Sequence, residues 1–218
     1  MEIADLLSLQ KTVLWAAFAV AAVFGFIAQR THFCTMGAIS DVVNMGSWVR
    51  MRMWGMAIGV AMIGFHLMAW AGWIDPAMTI YASGRIIWLS ALTGGALFGF
   101  GMVLASGCGS KTLVRIGGGS LKSLVGFFVM GLAAFATMRG FMAVARVNSV
   151  DKVAFDVETG ASIPVALAAS VGLSPETASL VMALVVGLGL IAWALASADF
   201  RTGHGLLAGV GIGATIAA

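Results

Sequence analysis

Residues 105–119 read ASGCGSKTLVRIGGG and interrupt a chain that is otherwise mostly apolar. The segment places a cysteine, a lysine and an arginine among glycines, directly after an apolar run, residues 86–105, that is long enough to span a bilayer. It is too apolar for a solvated loop, yet too short and too polar to cross a membrane. We therefore predict a re-entrant segment, which enters the membrane and leaves on the same side.

The composition is that of an integral membrane protein. With 61% hydrophobic residues, 10% charged residues and a mean hydropathy of +1.02, the chain has too little polar surface for a soluble globule. We expect a multi-pass protein embedded in the lipid bilayer of the inner (plasma) membrane. Its net charge of +3 comes from basic residues between apolar runs, so nucleic-acid binding is not predicted. The two cysteines have no Cys-x-x-Cys or zinc spacing, and we predict no disulfide framework, metal site or cofactor.

Charge-free apolar runs of roughly 20 residues predict the membrane-spanning helices. Five runs are of about this length, and a sixth stops with the chain. They cover residues 12–28, 53–74, 86–105, 123–138, 177–198 and 206–218. The N-terminal residues before the first run predict a short lead-in helix rather than a signal peptide. Residues 162–175, which contain two prolines, predict a short interfacial helix that does not cross the membrane.

A sequence repeat connects the opening segment with a second one of the same character. FGFIAQRTHFC at residues 24–34 and FGFGMVLASGC at residues 98–108 share Phe-Gly-Phe, seven intervening residues and a cysteine. The offset, 98 minus 24, is 74 residues. Residues 30–48 are therefore predicted to be re-entrant as well. Residues 35–43 and 110–115 are expected to form half-helices whose positive ends point inward.

The predicted fold is an all-α membrane protein built from tandem repeats around a central pathway. Each repeat has a transmembrane helix, a re-entrant half-helix and a second transmembrane helix, and the two re-entrant tips face a shared centre. Non-helical backbone at membrane depth is tolerated only where protein buries it or where it lines a wet cavity, so the two breaks imply a pathway. Within a single transmembrane domain, 1–218, we expect unit one at about 12–74, unit two at about 86–138, an interfacial linker at about 139–175 and further helices at about 176–218.

Two stretches resemble a known family. GGALFGFGMVLASGCGSKTLVRIGGGSLKSLVGF at residues 94–127, with CTMGAISD at residues 34–41, is similar to the YeeE/YedE family of membrane proteins, whose studied members take up thiosulfate. The resemblance implies that cysteines at the tips of re-entrant segments line an hourglass and pass a sulfur anion along. On the matching positions, that role falls to Cys34 and Cys108. Full-length family members carry a second half, so the resemblance also implies a second copy, a partner half-transporter or a longer protein.

The residues around Cys108 fit a pathway for such an anion. A doubly charged anion needs donors and positive potential in the apolar region, but strong ion pairs would trap it. A thiol is a weak, polarizable donor that allows release. Gly107 and Gly109 are expected to clear space. Lys111 and Arg115 stand four apart on one helix face and either attract the anion or serve as topology signals. His32, two residues before Cys34, is a further candidate, although an interfacial role explains it equally well.

Two other features are expected to have structural roles. Asp41, on the first half-helix, is a candidate partner for Arg115 or a counter-charge. Gly205, Gly209 and Gly213 repeat every four residues, which is typical of close helix contacts in membranes.

We predict a non-enzymatic transporter that takes up thiosulfate or a related sulfur anion, which is passed along the two thiols. Two alternatives stay open. In a sulfur relay, exposed thiols near Lys111 would carry sulfane sulfur as a persulfide to a cytoplasmic sulfur-carrier protein. In a soft-metal conduit, cysteine and methionine would bind Cu(I) or a similar ion.

Overall fold

The computed structural model describes residues 3–75, 85–156 and 174–218. The long helices are α1 (Ile3–Thr31), α3 (Val49–Trp70), α4 (Trp88–Leu104), α6 (Leu121–Arg139) and α8 (Pro175–Leu195), and the short ones are α2 (Thr35–Met45), α5 (Gly109–Gly117) and α7 (Phe141–Asn148). A last helix, α9 (Gly203–Ala217), contains a π-helical turn at Leu207–Gly211. Strands β1 (Arg85–Ile86) and β2 (Phe155–Asp156) pair antiparallel over two residues each. The fold is helical, as predicted, and this small ribbon is a minor addition.

The predicted membrane spans are confirmed as helices. Five helical stretches among the described residues are long and apolar enough to cross a bilayer: Leu7–Met45, which joins α1 and α2, Val49–Trp70, Trp88–Gly117, which joins α4 and α5, Leu121–Arg139 and Thr177–Leu195. The sixth candidate, α9, is apolar but shorter than a span. The lead-in is not a separate helix, because α1 runs without a break from Ile3 to Thr31. The interfacial helix expected at residues 162–175 lies almost entirely outside the described residues.

The chain divides into two compact units, of which the first comprises residues 1–65 and 183–218. Its core is apolar and draws on α1, α3, α8, α9 and the loop before α9. The buried residues are Ile27, Ala28, Phe33, Met53, Met56, Ala57, Ala194, Phe200, Ala208 and Ile212. Most of these side chains are small or unbranched, so the helix backbones approach closely.

Glycines set how closely α3 approaches its neighbours. A Cβ at Gly59 would lie 2.7 Å from the carbonyl oxygen of Gly187 on α8, and a Cβ at Gly213 would lie 2.8 Å from the carbonyl oxygen of Ala57. Gly209 lies against Met56 in the same way, with 2.7 Å to its Cβ. The prediction that the glycine ladder is a helix contact is therefore confirmed for its last two members. Gly205 instead packs against the backbone of Phe200, in the loop before α9.

The second unit comprises residues 66–182. Helix α5 packs on α6, and α6 packs on α7. The ring of Trp88, at the start of α4, stacks on Phe155 with 6.2 Å between centroids, which supports the small ribbon. Helices α4 and α6 bury none of their residues within the part of the chain that the structure describes. Such predominantly apolar surfaces suit contact with lipid or protein rather than water.

Candidate functional site

Both cysteines follow the same kind of helix break. His32, directly after α1, has a φ of 51°, and Ser106, two residues after α4, has a φ of 55°. In both breaks the N–H of the next residue donates to the carbonyl five residues back, at 3.0 Å. This Schellman arrangement closes the helix and redirects the chain. The two breaks are 74 residues apart, 106 minus 32, so the sequence repeat extends to the local backbone.

Left-handed backbone is unusual at these positions. Histidine and serine both carry a Cβ, and this conformation costs roughly 1–2 kcal/mol for an L-residue. The two breaks keep it although glycine would adopt it without strain. Strained backbone that is retained at equivalent places is a common mark of functional sites.

Each cysteine begins the short helix that follows its break. Cys34 is the N-cap of α2 and Cys108 is the N-cap of α5, both with extended backbone. The thiol of Cys34 accepts a hydrogen bond from the Gly37 N–H at 3.5 Å. Both cysteines are thiols rather than disulfide partners, and each is 6% exposed. The N-terminal N–H groups of a helix favour negative charge, so each thiol lies where an anion is favoured.

An arginine from α3 lies beside the first cysteine. A Cβ at Gly37 would lie 2.6 Å from Nη1 of Arg50 and 3.6 Å from Cβ of Cys34, so the guanidinium passes directly over the first turn of α2. Nε of Arg50 lies 3.3 Å from Oδ2 of Asp41, one turn further along α2. The prediction that Asp41 is a counter-charge is confirmed, and its partner in the structure is Arg50 rather than Arg115.

An indole N–H lies near the same break. The ring of Trp54 packs on Phe33, the residue before Cys34, with 4.5 Å between centroids. Nε1 of Trp54 is buried and has no hydrogen-bond partner among the residues that the structure describes. Trp54 follows Arg50 by four residues, so both side chains leave the same face of α3.

Each cysteine with the start of its short helix forms one cysteine motif: Cys34 with α2 is the first, and Cys108 with α5 is the second. In the second motif the cation comes from the short helix itself. The side chain of Lys111 folds back over Gly107, where a Cβ would lie 3.2 Å from Cδ of the lysine. This contact explains the glycine before Cys108, since a larger residue would push the lysine away. Oγ1 of Thr112 donates to the carbonyl of Cys108 at 3.1 Å, which tightens the start of α5.

Three predicted site residues are arranged differently from Lys111. Arg115 lies exposed in the last turn of α5, roughly 10 Å along the axis from Cys108, and complements the carbonyl end of the helix. Gly109 starts α5, but a Cβ there would lie 3.9 Å from Sδ of Met130, an ordinary contact, so lack of space does not require glycine. His32 has an exposed side chain, and its backbone makes the turn.

Sequence reasoning missed Arg50 and Trp54. It treated Arg50 as one more loop cation, because nothing in the residue spacing shows that its side chain lies over the first turn of α2. A usable signal was present, since Asp41 is an acidic residue in an apolar segment and such a residue needs a nearby partner.

The arrangement suits a small anion. Each motif combines a buried thiol, the N–H groups of a helix start and a cation. Thiols are weak donors, and backbone amides and cations provide the positive potential that an anion needs in an apolar region.

These features define a class: a helical, multi-pass membrane protein in which buried thiols mark two helix breaks. The chain matches the family described as sulphur transport over residues 30–212. It therefore belongs to this family, which confirms the resemblance to the YeeE/YedE proteins.

Two curated relatives have more specific names. The chain is 33% identical over 107 residues to a protein of Escherichia coli (strain K12) named thiosulfate transporter TsuA, a match that covers 49% of this chain and 29% of that protein. It is 30% identical over 129 residues to the protein of the same name from Spirochaeta thermophila, which covers 59% of this chain and 37% of that protein. The matched segments thus span less than half the length of either relative.

Proposed function

We propose that this chain takes up thiosulfate, or a closely related sulfur anion, across the inner membrane. The observation that carries the proposal is the pair of cysteine motifs, each with a buried thiol at a helix start and a cation alongside. The family and the names of the two relatives support a sulfur-containing substrate.

The short helices α2 and α5 are the parts that would enter the membrane without crossing it. Each follows a sharp break at the end of a long apolar helix and precedes another long helix. The α2 helix has 11 residues and α5 has 9, which is too short to cross the hydrocarbon core at about 1.5 Å per residue. In this proposal, each cysteine marks the tip of a re-entrant segment and one station of a common pathway.

Transport would proceed by exchange of weak hydrogen bonds. The thiol S–H of Cys34 or Cys108 donates to a terminal sulfur or oxygen of the anion, while helix N–H groups and the nearby cation balance its charge. No contact of this set is strong enough alone to trap a dianion, and several weak stations in series allow both binding and release.

The chain is proposed to act together with further helices. The matches cover only part of each relative, and α4 and α6 bury none of their residues within the described segments. A second copy or a partner half-transporter would supply the additional surface.

Uptake by purified protein tests the proposal. Proteoliposomes that contain the chain should accumulate ³⁵S-labelled thiosulfate above the level of protein-free vesicles. Unlabelled thiosulfate should compete strongly and sulfate weakly, because sulfate lacks the terminal sulfur that suits a thiol donor. No accumulation above protein-free vesicles, or equal competition by the two anions, would contradict the proposal.

The same vesicles separate transport from a covalent sulfur relay. In a relay, the thiolate would attack the outer sulfur of thiosulfate, the S–S bond of thiosulfate would break and sulfite would leave. The resulting persulfide on the protein is detectable as a mass increase of one sulfur atom. We expect no such adduct while uptake proceeds. A persulfide on the parent protein, together with loss of uptake in both Cys34→Ser and Cys108→Ser, would favour the relay.

A further inference from the structure

We propose that the two cysteine motifs hold the anion with different net charges. Arg50 occupies in the first motif the place of Lys111 in the second, and Asp41 offsets the charge of Arg50. The first motif then binds the anion loosely, because the anion must replace Asp41 as the partner of Arg50. The second motif attracts the anion by its net positive charge. The inference rests on the proposed function for the identity of the anion, but the charge arrangement can be measured without transport.

The repeat offset of 74 residues identifies the equivalent positions in the two motifs. Adding 74 to Gly37 gives Lys111, and adding 74 to Asp41 gives Arg115. In each motif, one of these positions lies three residues after the cysteine and the other lies seven residues after it, on one face of the short helix. The second motif has side chains of its own at these places, a lysine and an arginine. The first motif has no side chain at Gly37 and a carboxylate at Asp41.

Arg50 fills the space that glycine leaves. Its Nη1 lies 2.6 Å from where the Cβ of residue 37 would be, so the guanidinium takes the position at which the lysine side chain emerges in the second motif. A Cβ at residue 37 would displace Nη1, so glycine leaves room for the guanidinium beside Cys34.

The formal charges of the two motifs differ as a result. In the first, Arg50 and Asp41 form a salt bridge and sum to zero. In the second, Lys111 and Arg115 sum to +2. An anion at Cys34 must compete with Asp41 for the guanidinium, and the salt bridge can re-form when the anion leaves. At Cys108 no carboxylate of the motif competes with the anion.

Thiol modification by charged reagents measures this difference. Replacing one cysteine by alanine leaves the other as the sole thiol, because the chain has two. The readout is the ratio of the modification rate with anionic 2-sulfonatoethyl methanethiosulfonate to that with cationic 2-(trimethylammonium)ethyl methanethiosulfonate. One unit charge about a helical turn away should change this ratio roughly tenfold in a water-like dielectric.

At Cys34, Asp41→Asn should raise the ratio about fourfold, because Asp41 lies two helical turns, roughly 10 Å, from Cys34, and Arg50→Gln should lower it about tenfold. Gly37→Ala should also lower the ratio, although it changes no charge, because its Cβ displaces the guanidinium. At Cys108, Lys111→Gln should lower the ratio by a similar factor.

Arg52→Gln is the matched control for the loss of one positive charge. The guanidinium of Arg52 donates to the carbonyl of Trp193 at 2.5 Å and lies over that ring at 5.0 Å from its centroid, whereas that of Arg50 lies beside Gly37, so removing Arg52 should change the ratio at Cys34 less than Arg50→Gln does. If Arg50→Gln does not fold, Asp41→Asn and Gly37→Ala still decide the question.

The inference would be overturned if the ratio at Cys34 in both Asp41→Asn and Gly37→Ala stayed within twofold of the ratio without these substitutions. Failure of the anionic reagent to reach Cys34 in the folded protein would also overturn it, because an anion must reach this thiol. Thiosulfate uptake with unmoved ratios refutes this inference alone, whereas shifted ratios without uptake refute the proposed function alone.

Discussion

Replacing Cys108 by alanine should lower thiosulfate uptake by about 10- to 100-fold while membrane insertion and expression stay near those of the parent. The factor corresponds to the loss of one hydrogen bond to a charged group, about 1.5–3 kcal/mol. Folding should tolerate the change, because removing one sulfur atom opens only a small cavity. Initial uptake rates in proteoliposomes, normalised to the amount of inserted protein, measure the effect.

Serine and a neighbouring residue give the controls for this variant. Cys108→Ser keeps a donor, but its hydroxyl is harder and more strongly hydrated, so its uptake should fall between those of the parent and the alanine variant. Ser110→Ala removes an exposed hydroxyl from the first turn of the same helix and should leave uptake unchanged. Parent-like uptake in Cys108→Ala, or a loss of equal size in Ser110→Ala, would contradict a direct role for the thiol.

The second large effect concerns packing in the first unit. Gly59→Val should lower the free energy of unfolding by roughly 1–3 kcal/mol or more, because its Cβ would lie 2.7 Å from the carbonyl oxygen of Gly187 and a backbone atom cannot move aside alone. Unfolding in detergent, followed by tryptophan fluorescence, measures the change.

Gly189→Val is the matched control, since a Cβ at Gly189 on α8 meets nothing within 4 Å. Its free energy of unfolding should stay within about 1 kcal/mol of the parent's, the range of helix propensity differences. Equal destabilisation by the two variants would show that the close approach of α3 and α8 does not support this unit.

Hydropathy was sufficient to predict the spans, because the bilayer fixes how many apolar residues a helix needs. Boundaries were less accurate: α1 starts at Ile3, where the sequence predicted a separate lead-in helix. The division followed from the start of the charge-free run at residue 12, yet the charged residues Asp5 and Lys11 before that run belong to the same continuous helix.

The cysteine motifs were predictable in part. The repeat placed both thiols after a break and before a short helix, which matches the observed starts of α2 at Thr35 and α5 at Gly109. The left-handed backbone of His32 and Ser106 was not predictable, because residue type alone favours glycine or asparagine there.

The electrostatic partners were the hardest part to predict. Arg50 belongs to α3 but lies beside Gly37 and Asp41 of α2, and such contacts depend on packing rather than on local sequence. For the same reason, the sequence suggested Arg115 rather than Arg50 as a partner of Asp41. Lys111 was predictable because it belongs to the helix that its cysteine begins, so only local geometry was needed.

The most direct test of the account is thiosulfate uptake by the Cys34→Ala, Cys108→Ala double variant beside the parent in matched proteoliposomes. The account predicts that the parent accumulates labelled thiosulfate and that the double variant, correctly inserted and equally stable, falls to the level of protein-free vesicles. Uptake by the double variant at the parent's rate would contradict it, because both thiols would then be packing residues and the anion would follow another route.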